Sequence, residues 1–470
     1  MKKIIVLLLG LHLVACGGAV TSPTPEALPL TPELTPDGEE IPPQTAAWLQ
    51  GNAVPFNTAQ PGVDLSDPMA LKGIIGNARI VALGEATHGT HEFFQMKHRL
   101  LEFLVEEMDF TVFAIEAYWA EATLINDYVH TGEGNVAELL ANLGYWPWQT
   151  QEVFDLIEWM RAYNQIPDHA PVSFYGFDMQ NAKGAIDQLI AYLTTVDPDS
   201  AVSTQARLAC FSRYQEYNYQ QTEYAQQPAA TKQECRQDLQ VVFDELVTHQ
   251  TAYEAVSSPT AFAIALQDAR VIQQAEEMAA VAESFTDFPR DWFNARDEAM
   301  AENVKWLLDY TGSETKIVLW AHNVHVQAVD WEFRGTRYLP MGTHLRREYG
   351  DKLVVFGFSS YGGAFNALDY DTATDSYAGL TAHQAGPSVP NSYEQYLHSA
   401  ELPRFFLDLR RITADSPAGS WLLRPHWLHF VGATYDRQSR PEDNAYVVVL
   451  PEAFDVLVYF DETTPSALLR

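Results

Sequence analysis

Basic residues and cysteines are scarce in this chain of 470 residues. Only 29 Lys and Arg stand against 62 Asp and Glu, which gives a formal net charge of −33. Because proteins bind nucleic acids largely by neutralising phosphates, this balance excludes a nucleic-acid partner. The chain has three cysteines, too few for a cysteine-based zinc centre. Cys210 and Cys235 lie in a predicted helical region, and whether they form a disulfide stays open.

A long hydrophobic run is also missing. The apolar stretch Ile4–Ala15 is shorter than the roughly 20 residues that span a bilayer. Since it follows a basic start, MKK, it predicts an export signal over residues 1–15. Leu13–Cys16 resembles the bacterial lipobox, so Cys16 is the predicted lipidation site, and its acyl chains would hold the protein on a membrane surface. We therefore expect a cell-envelope lipoprotein, periplasmic or outer membrane-anchored, and Gly17 favours the outer membrane.

Two regions follow the predicted signal. Residues 16–46 are rich in Pro, Thr and Glu and have few large apolar side chains, a composition that predicts a disordered tether. Residues 47–470 contain most of the hydrophobic residues, which make up 47% of the whole chain. A region of this length can bury a large core, so we expect a globular domain from residue 47 onward.

Buried strands alternate with helices in this domain. Continuous apolar runs rich in β-branched and aromatic residues predict the strands, and the clearest are Arg79–Gly84, Thr111–Ile115, Val172–Gly176, Lys316–Trp320, Leu353–Phe358, Tyr446–Leu450 and Val456–Phe460. Helical patterns cover His91–Met108, Glu152–Tyr163, Arg290–Tyr310 and Gly342–Tyr349. The alternation predicts an α/β fold with a mostly parallel central sheet flanked by helices. Residues 183–290 are polar, helical in pattern and without a strand candidate, which predicts an inserted helical bundle.

Titratable side chains follow four of the predicted strands. In chain order these are Glu85 with His88, Glu116, Asp178, and His322 with His325. A single carboxylate there could be a helix cap, and Thr90 alone could cap the helix after the first strand. Four strands with the same placement predict a shared site instead, because ligands of open parallel sheets bind at the carboxyl ends of the strands.

These groups favour acid–base chemistry. A carboxylate close to a histidine fixes its tautomer and makes it a better general base, and further imidazoles can donate to a carbonyl oxygen that becomes negative. The stretch GFSSYGG at residues 357–363 does not fit the Gly-x-Ser-x-Gly nucleophile motif, and no cysteine suggests itself as a nucleophile. The hydrolytic option that remains is direct attack by water.

The motifs around these residues resemble the erythromycin esterase family. Five of them carry the resemblance: GEATHGTHEFF at 84–94, FAIE at 113–116, GFD at 176–178, RDEAMAEN at 296–303 and WAHNVHV at 320–326. It continues through MGTHLRREYG at 341–350 and FDVLVYFDETTP at 454–465. It therefore covers nearly everything after the predicted tether.

The resemblance implies an α/β hydrolase that opens a macrolide lactone without a covalent intermediate and without a cofactor. By its position in the first motif, His88 is the residue implied to activate water. Glu85 and Glu116 match the carboxylates that position and polarise the histidine and the water. His322 and His325 match histidines that are candidates for binding the carbonyl oxygen or the leaving alkoxide.

Other matched residues are implied to support the site. Arg296 matches an arginine expected to pair with site carboxylates, and Asp178 is a further candidate. Lys97 stands where the family often has arginine, so the loss of a bidentate fork is expected to change substrate orientation. His91 has no assigned role and is expected to be structural. The substrate is expected to be a small ester or lactone, which family membership does not specify further.

Two alternatives remain at this stage. Two glutamates and three histidines could hold a divalent metal ion, although Glu85 and His88 lie three apart on a turn, unlike the helical His-Glu-x-x-His pattern. The main prediction therefore includes no metal. The second alternative is a surface-exposed binding lipoprotein that lacks catalysis.

Overall fold

A central sheet with helices on both faces organises the described part of the chain, which in this computed structural model is residue 38 and residues 40–215, 220–282, 289–371, 376–386 and 388–469. The predicted export signal, Cys16 and most of the predicted tether lie outside these residues. The tether was expected to reach residue 46, and this boundary is wrong. A helix begins at Pro43, a residue whose fixed φ suits a first helical position, and Thr45 is buried.

The described residues form fourteen strands. In chain order they are β1 (Val54–Pro55), β2 (Ile80–Leu83), β3 (Val112–Tyr118), β4 (Ser173–Asp178), β5 (Ile317–Trp320), β6 (Trp331–Phe333), β7 (Thr336–Tyr338), β8 (Leu353–Asp371), β9 (Ser376–Gln384), β10 (Arg404–Asp408), β11 (His426–His429), β12 (Thr434–Tyr435), β13 (Ala445–Val448) and β14 (Val456–Thr463).

Seventeen α-helices lie in the same described ranges. They are α1 (Pro43–Asn52), α2 (Lys72–Ile75), α3 (His91–Met108), α4 (Trp119–Thr131), α5 (Val136–Asn142), α6 (Gln151–Asn164), α7 (Lys183–Val196), α8 (Pro198–Ser212), α9 (Gln220–Ala225), α10 (Ala229–Val256), α11 (Pro259–Ala279), α12 (Arg290–Thr311), α13 (Asn323–Val326), α14 (Met341–Tyr349), α15 (Tyr393–His398), α16 (Gly419–Leu422) and α17 (Leu450–Ala453).

The main sheet is parallel at its centre, as predicted. Its strand order is β1-β10-β14-β8-β2-β5-β3-β4, and the six strands from β14 to β4 run parallel. At the other edge β10 and β1 are antiparallel. The four strands with titratable residues at their ends, β2, β5, β3 and β4, are consecutive neighbours in this sheet. Their carboxyl ends therefore meet at one stretch of its edge.

Helical layers cover both faces of the sheet. Alternate residues of β2 and β5 belong to two separate apolar cores, one with Ile80 and Leu319, the other with Leu83 and Trp320. All four residues of β2 are buried. This arrangement explains why these strands read as continuous apolar runs instead of alternating ones.

The predicted helical insertion lies between β4 and β5. Helices α7 to α11 pack on one another, and no strand occurs among the described residues between Asp178 and Ile317. A disulfide joins Cys210 of α8 to Cys235 of α10, with the two Cα atoms 5.5 Å apart. Helix α12 then packs against β4, so the insertion returns the chain to the end of the sheet where the titratable residues are.

A second sheet was not predicted. Strands β11, β13, β6 and β7 form a small antiparallel sheet. The run Tyr446–Leu450, read as one of the chain's buried strands, corresponds to β13 and pairs in this small sheet instead of the central one. A buried strand has the same apolar sequence pattern in either sheet. The sequence of β13 therefore does not show which sheet it joins, since its long-range partners decide that.

The turn between β2 and α3 is built for close packing. A side chain at Gly84 would collide with Asn323, and one at Gly89 would collide with the backbone of Asn366. Thr90 stands at the N-cap of α3 but makes no cap bond with its side chain. Its hydroxyl contacts the hydroxyl of Thr87 instead, so the expected capping role is not realised.

The segment 464–469 fastens this turn from the outside. Backbone hydrogen bonds of 2.7 to 2.9 Å join the segment to the turn at Gly89 and His91, to Gln149 in the loop before α6, and to Gln151 at the start of α6. That loop carries aromatic residues next to the candidate site. The segment thus connects two parts of the chain that are about sixty residues apart.

Candidate active site

The structure brings the predicted titratable residues together at the carboxyl edge of the sheet. One row of paired residues, Leu83, Trp320, Ile115 and Gly176, crosses β2, β5, β3 and β4. The titratable side chains follow this row by one or two positions in every strand. Shared register in parallel strands therefore places groups that are up to 237 residues apart in the chain, Glu85 and His322, at one site.

Glu85 organises the first half of the site. Its carboxylate is fully buried, and Oε1 lies 2.7 Å from Nδ1 of His88. Its other oxygen, Oε2, accepts from Nζ of Lys97 at 2.6 Å and from the indole Nε1 of Trp320 at 2.8 Å. The His88 side chain is 13% exposed. Of these four groups, only His88 lines the cleft described below.

Lys97 supports Glu85 and does not contact the cleft. The side chain is completely buried, with Nζ 4.5 Å from the centre of the Trp320 ring. Lys97 was expected to support the site or to affect substrate orientation, and its position in the structure is that of a support for Glu85. Burial lowers the pKa of Lys97 to about 8, against the opposing effect of Glu85.

Glu116 organises the second half. Its Oε1 accepts from Nη2 of Arg296 at 2.6 Å, and its Oε2 accepts from the backbone N–H of His322 at 3.0 Å. Arg296 also donates to Asp178 at 2.8 Å, so the expected pairing of Arg296 with site carboxylates is present. Burial alone would raise the pKa of Glu116, but His325 and then Arg296 hold it well below its usual range.

His325 is held by a carboxylate that the sequence analysis did not single out. Asp297 is fully buried, and both of its oxygens lie 2.9 Å from Nδ1 of His325. Burial lowers the pKa of His325, but Asp297 and Glu116 outweigh it and raise the pKa above its ordinary value. Nε2 lies 3.0 Å from Nη1 of Arg296 and 3.3 Å from Oε1 of Glu116. The imidazolium donates to Glu116, whereas a neutral ring accepts from Arg296.

His322 differs from His325 in its protonation state. Burial, followed by the charges of His88 and His325, lowers the pKa of His322 well below the ordinary value, so its ring is neutral. Nδ1 accepts from the backbone of Val324 at 3.3 Å, and Nε2 donates to the carbonyl of Val431 at 3.3 Å. Its ring centre is 4.9 Å from that of His88. To bind a substrate oxygen, Nε2 would have to exchange its bond to Val431.

A cleft of about 210 Å³ opens onto these groups. Five of the titratable or charged groups line it, namely His88, Glu116, Arg296, His322 and His325. Half of its other lining residues are aromatic, namely Tyr145, Trp148, Trp292, Phe293 and Phe430. An apolar cleft with a few convergent polar groups is the usual form of a small-molecule site.

Sequence reasoning missed part of this site for a physical reason. Asp297 lies inside a helix, where no strand end marks it, although it directly follows Arg296. Trp148 belongs to the sequence WPW at 146–148, a signal that aromatic clustering alone could have raised. Phe430 follows a strand of the unpredicted small sheet, so nothing local indicated its place.

His91 lies outside the cleft. Its Nδ1 contacts Glu152, so it ties α3 to α6 as the expected structural role requires.

Among the residues described here, no group of three or more His, Cys, Asp or Glu is arranged to hold a metal ion. Within the same residues, every helix is too short or too polar to cross a bilayer.

The fold and the site combine a parallel α/β sheet with carboxylate–histidine pairs at its carboxyl edge, beside an apolar cleft. The chain belongs to the erythromycin esterase family, whose model matches residues 105–463. This confirms the resemblance seen in the sequence motifs. Membership supports an esterase or hydrolase function.

Three known proteins illustrate the relationship. The chain is 27% identical to erythromycin esterase type II of Escherichia coli over 381 residues, which are 78% of this chain and 89% of that protein. It is 24% identical to YbfO of Bacillus subtilis (strain 168) over 444 residues, 90% of this chain and 92% of that one. A crystal structure of a Bacillus cereus protein superposes with a TM-score of 0.77 at 29% identity, covering 91% of this chain and 99% of the other.

Proposed function

We propose that the protein hydrolyses a carboxylic ester or a macrolide lactone by direct attack of water, with His88 as the general base. The observation that carries this proposal is the Glu85–His88 pair. Its 2.7 Å contact engages Nδ1 and leaves Nε2 as the ring nitrogen available to the cleft. Glu85 is itself held by two donors, so the tautomer and orientation of His88 are set before substrate binds.

The proposed reaction begins with a water molecule between His88 and the substrate carbonyl. Nε2 takes a proton from the water while the water oxygen attacks the carbonyl carbon. The resulting imidazolium is stabilised by the carboxylate of Glu85. The tetrahedral intermediate then collapses, the acyl C–O bond breaks, and the leaving alkoxide takes a proton, which gives a carboxylic acid and an alcohol.

Direct attack by water is supported by the composition of the cleft. In the described part of the chain, no serine, threonine or cysteine lines it. Glu116 does line it, but its two oxygens are engaged by Arg296 and by the backbone of His322. A carboxylate held in this way is a poor nucleophile, so we infer that no covalent acyl-enzyme forms.

The developing negative charge needs a donor, and His325 is the best placed candidate. Its ring lines the cleft, and Asp297 with Glu116 favours its protonated form. We infer that the imidazolium stabilises the oxyanion or protonates the leaving alkoxide. His322, which is neutral and bonded to backbone through both ring nitrogens, would serve chiefly to position the wall of the cleft at Val431.

A variant of the proposed base tests the mechanism. His88→Asn removes the base but keeps a polar side chain, and we expect turnover to fall by roughly 10²- to 10⁴-fold with the fold intact. The assay follows the gain of one water by mass spectrometry, with erythromycin and with a mixed panel of esters and lactones. His91→Asn is the matched control and should retain near-normal turnover. Equal activity of both variants would contradict the role of His88.

A further inference from the structure

A second cavity lies on the other side of one wall of the cleft. Its volume is about 190 Å³, and its polar and aromatic lining includes Ser360, Tyr361, Glu394, His429, Tyr435 and Arg437. No described residue lines both cavities. The wall is the segment 429–435, whose end residues face this second cavity, whereas Phe430, Gly432 and Ala433 face the catalytic cleft.

Glu394 is the unusual group in this cavity. The residue is 2% exposed, and its Oε1 accepts from the backbone N–H of His429 at 3.0 Å and from the hydroxyl of Ser359 at 3.3 Å. Among the described residues, no Lys, Arg or His nitrogen lies within 4.0 Å of its carboxylate. A buried carboxylate without a cation is costly, and such groups are normally paired.

The neighbouring basic groups do not supply the missing charge. Burial lowers the pKa of His429 to about 4, so this ring is neutral near pH 7. The guanidinium of Arg437 lies 2.7 Å from Asp369, which balances its charge. The cavity therefore has one buried carboxyl group that has no positive partner among the described residues.

Two tyrosine rings line the same cavity and are held in place by other rings. Tyr361 stacks on His398 with the ring centres 3.8 Å apart. Tyr435 packs edge-on against Phe365, with the centres 5.3 Å apart. Aromatic faces attract cations, and a carboxylate beside fixed aromatic rings is a common way to bind an organic ammonium group.

We propose that the cavity bounded by Tyr361, Glu394 and Tyr435 is a second binding site whose ligand is a compact organic cation, such as a protonated amine. The ammonium pairs with the carboxylate of Glu394, and the alkyl groups lie against the tyrosine rings. The volume corresponds to roughly six water molecules at about 30 Å³ each, which suits a ligand of a few carbon atoms.

The proposal makes binding dependent on pH with a defined sign. Burial raises the pKa of Glu394, against the opposing hydrogen bonds from His429 and the adjacent hydroxyls. Since a cation binds the ionised carboxylate, affinity should rise with pH through the range in which Glu394 loses its proton. The other groups around Glu394 are neutral near pH 7, namely the hydroxyls of Ser392 and Ser359, the ring of His429, and the phenols of Tyr393, Tyr446 and Tyr459, whose pKa values burial raises.

Calorimetry on the full chain tests the proposal without measuring turnover. Propylammonium is the probe, 1-propanol the uncharged control and propionate the anionic control. We expect binding of propylammonium only, with proton release on binding detected in two buffers of different ionisation enthalpy. Glu394→Gln keeps an acceptor for His429 but loses the charge, and should weaken propylammonium at least about tenfold. Glu314→Gln, at an exposed glutamate outside both cavities, should bind like the unmodified protein.

Several results would overturn the proposal. These are the absence of propylammonium binding to the unmodified protein, preference for propionate, equal binding of propanol, and unchanged affinity in Glu394→Gln. If that variant does not fold, the proton release and the pH dependence in the unmodified protein decide. Because no substrate is turned over, failure here leaves the hydrolytic proposal untouched, and loss of hydrolysis would not affect the binding result.

Discussion

The histidines of two carboxylate–histidine pairs line the same cleft, and the two pairs have different surroundings. Glu85 holds His88 beside the ammonium of Lys97, whereas Asp297 holds His325 beside Glu116. Since neighbouring carboxylates raise the pKa of His325, this ring is suited to donate a proton, whereas the proposed reaction gives His88 the task of accepting one. Groups with such separated tasks are what acid–base catalysis needs.

Asp297→Asn tests the acid role of His325. Loss of the carboxylate removes the charge that raises the pKa of His325, so the ring should lose its proton at a lower pH. We therefore expect the alkaline limb of kcat/KM to move to lower pH by roughly one to three units. A pH–rate profile measures this shift. Asp291→Asn, at an exposed aspartate in the first turn of the same helix, is the control, and an unmoved limb in Asp297→Asn would refute the assignment.

Burial of Lys97 leads us to expect a second alkaline ionisation in the pH–rate profile of the unmodified protein. The pKa of Lys97 is lowered to about 8, so above that pH Glu85 loses its charged partner and its hold on His88 weakens. Lys97→Arg should remove this ionisation, because arginine stays charged throughout the range. The pH–rate profiles of both proteins, with circular dichroism to check the fold of the buried replacement, measure the effect. Identical profiles near pH 8 would show that Lys97 does not govern the pair.

At the residue scale, the sequence predicted groups that follow strands and missed groups that do not. Glu85, Glu116 and His322 could be placed because parallel strands end at a shared edge, which local sequence reveals. Asp297 could not be placed in this way, because its partner His325 lies on another element. The direction of its side chain depends on how α12 packs against the rest of the fold. The depth of Lys97 could not be predicted either, because its sequence position shows a positive charge but not how deeply the side chain is buried.

Individual helices and strands differ in how far their bounds and positions depend on long-range pairing. The bounds of α3 were predicted without error, since its apolar stripe and its length are local properties. The run at β13 was recognised as a strand, but it joined the small antiparallel sheet, which depends on partners as distant as β6. Short strands such as β6 and β7 lie between turns and carry too few residues for a period to be read.

The disulfide in the helical insertion gives a prediction about stability. Cys210 and Cys235 are 25 residues apart, and closing a loop of that length is worth roughly 3 kcal/mol through the unfolded chain. Cys210→Ser with Cys235→Ser should lower the thermal midpoint of unfolding and leave turnover at 25 °C unchanged, because neither residue lines the cleft. Calorimetric scans with and without reductant measure this. If reductant also lowered the thermal midpoint of the double variant, the loss of stability would not come from this disulfide.

For the whole molecule, the expected attachment to a membrane is a proposal about Cys16. We propose that this residue is acylated after removal of residues 1–15, which holds a strongly acidic domain on the cell envelope through the segment before α1. In a bacterial host, Cys16→Ser should move the protein from the membrane fraction to the soluble fraction without changing its specific activity. Incorporation of labelled fatty acid measures the modification, and equal membrane association of both forms would contradict it.

The fastening of the β2–α3 turn by segment 464–469 has a consequence for biosynthesis. The turn that carries His88 is completed by backbone bonds to residues made more than 370 positions later. A growing polypeptide on the ribosome therefore contains every other proposed catalytic group before these bonds can hold the proposed base in place. We infer that the proposed hydrolysis becomes possible only after residues 464–469 have been made and have bonded to the turn.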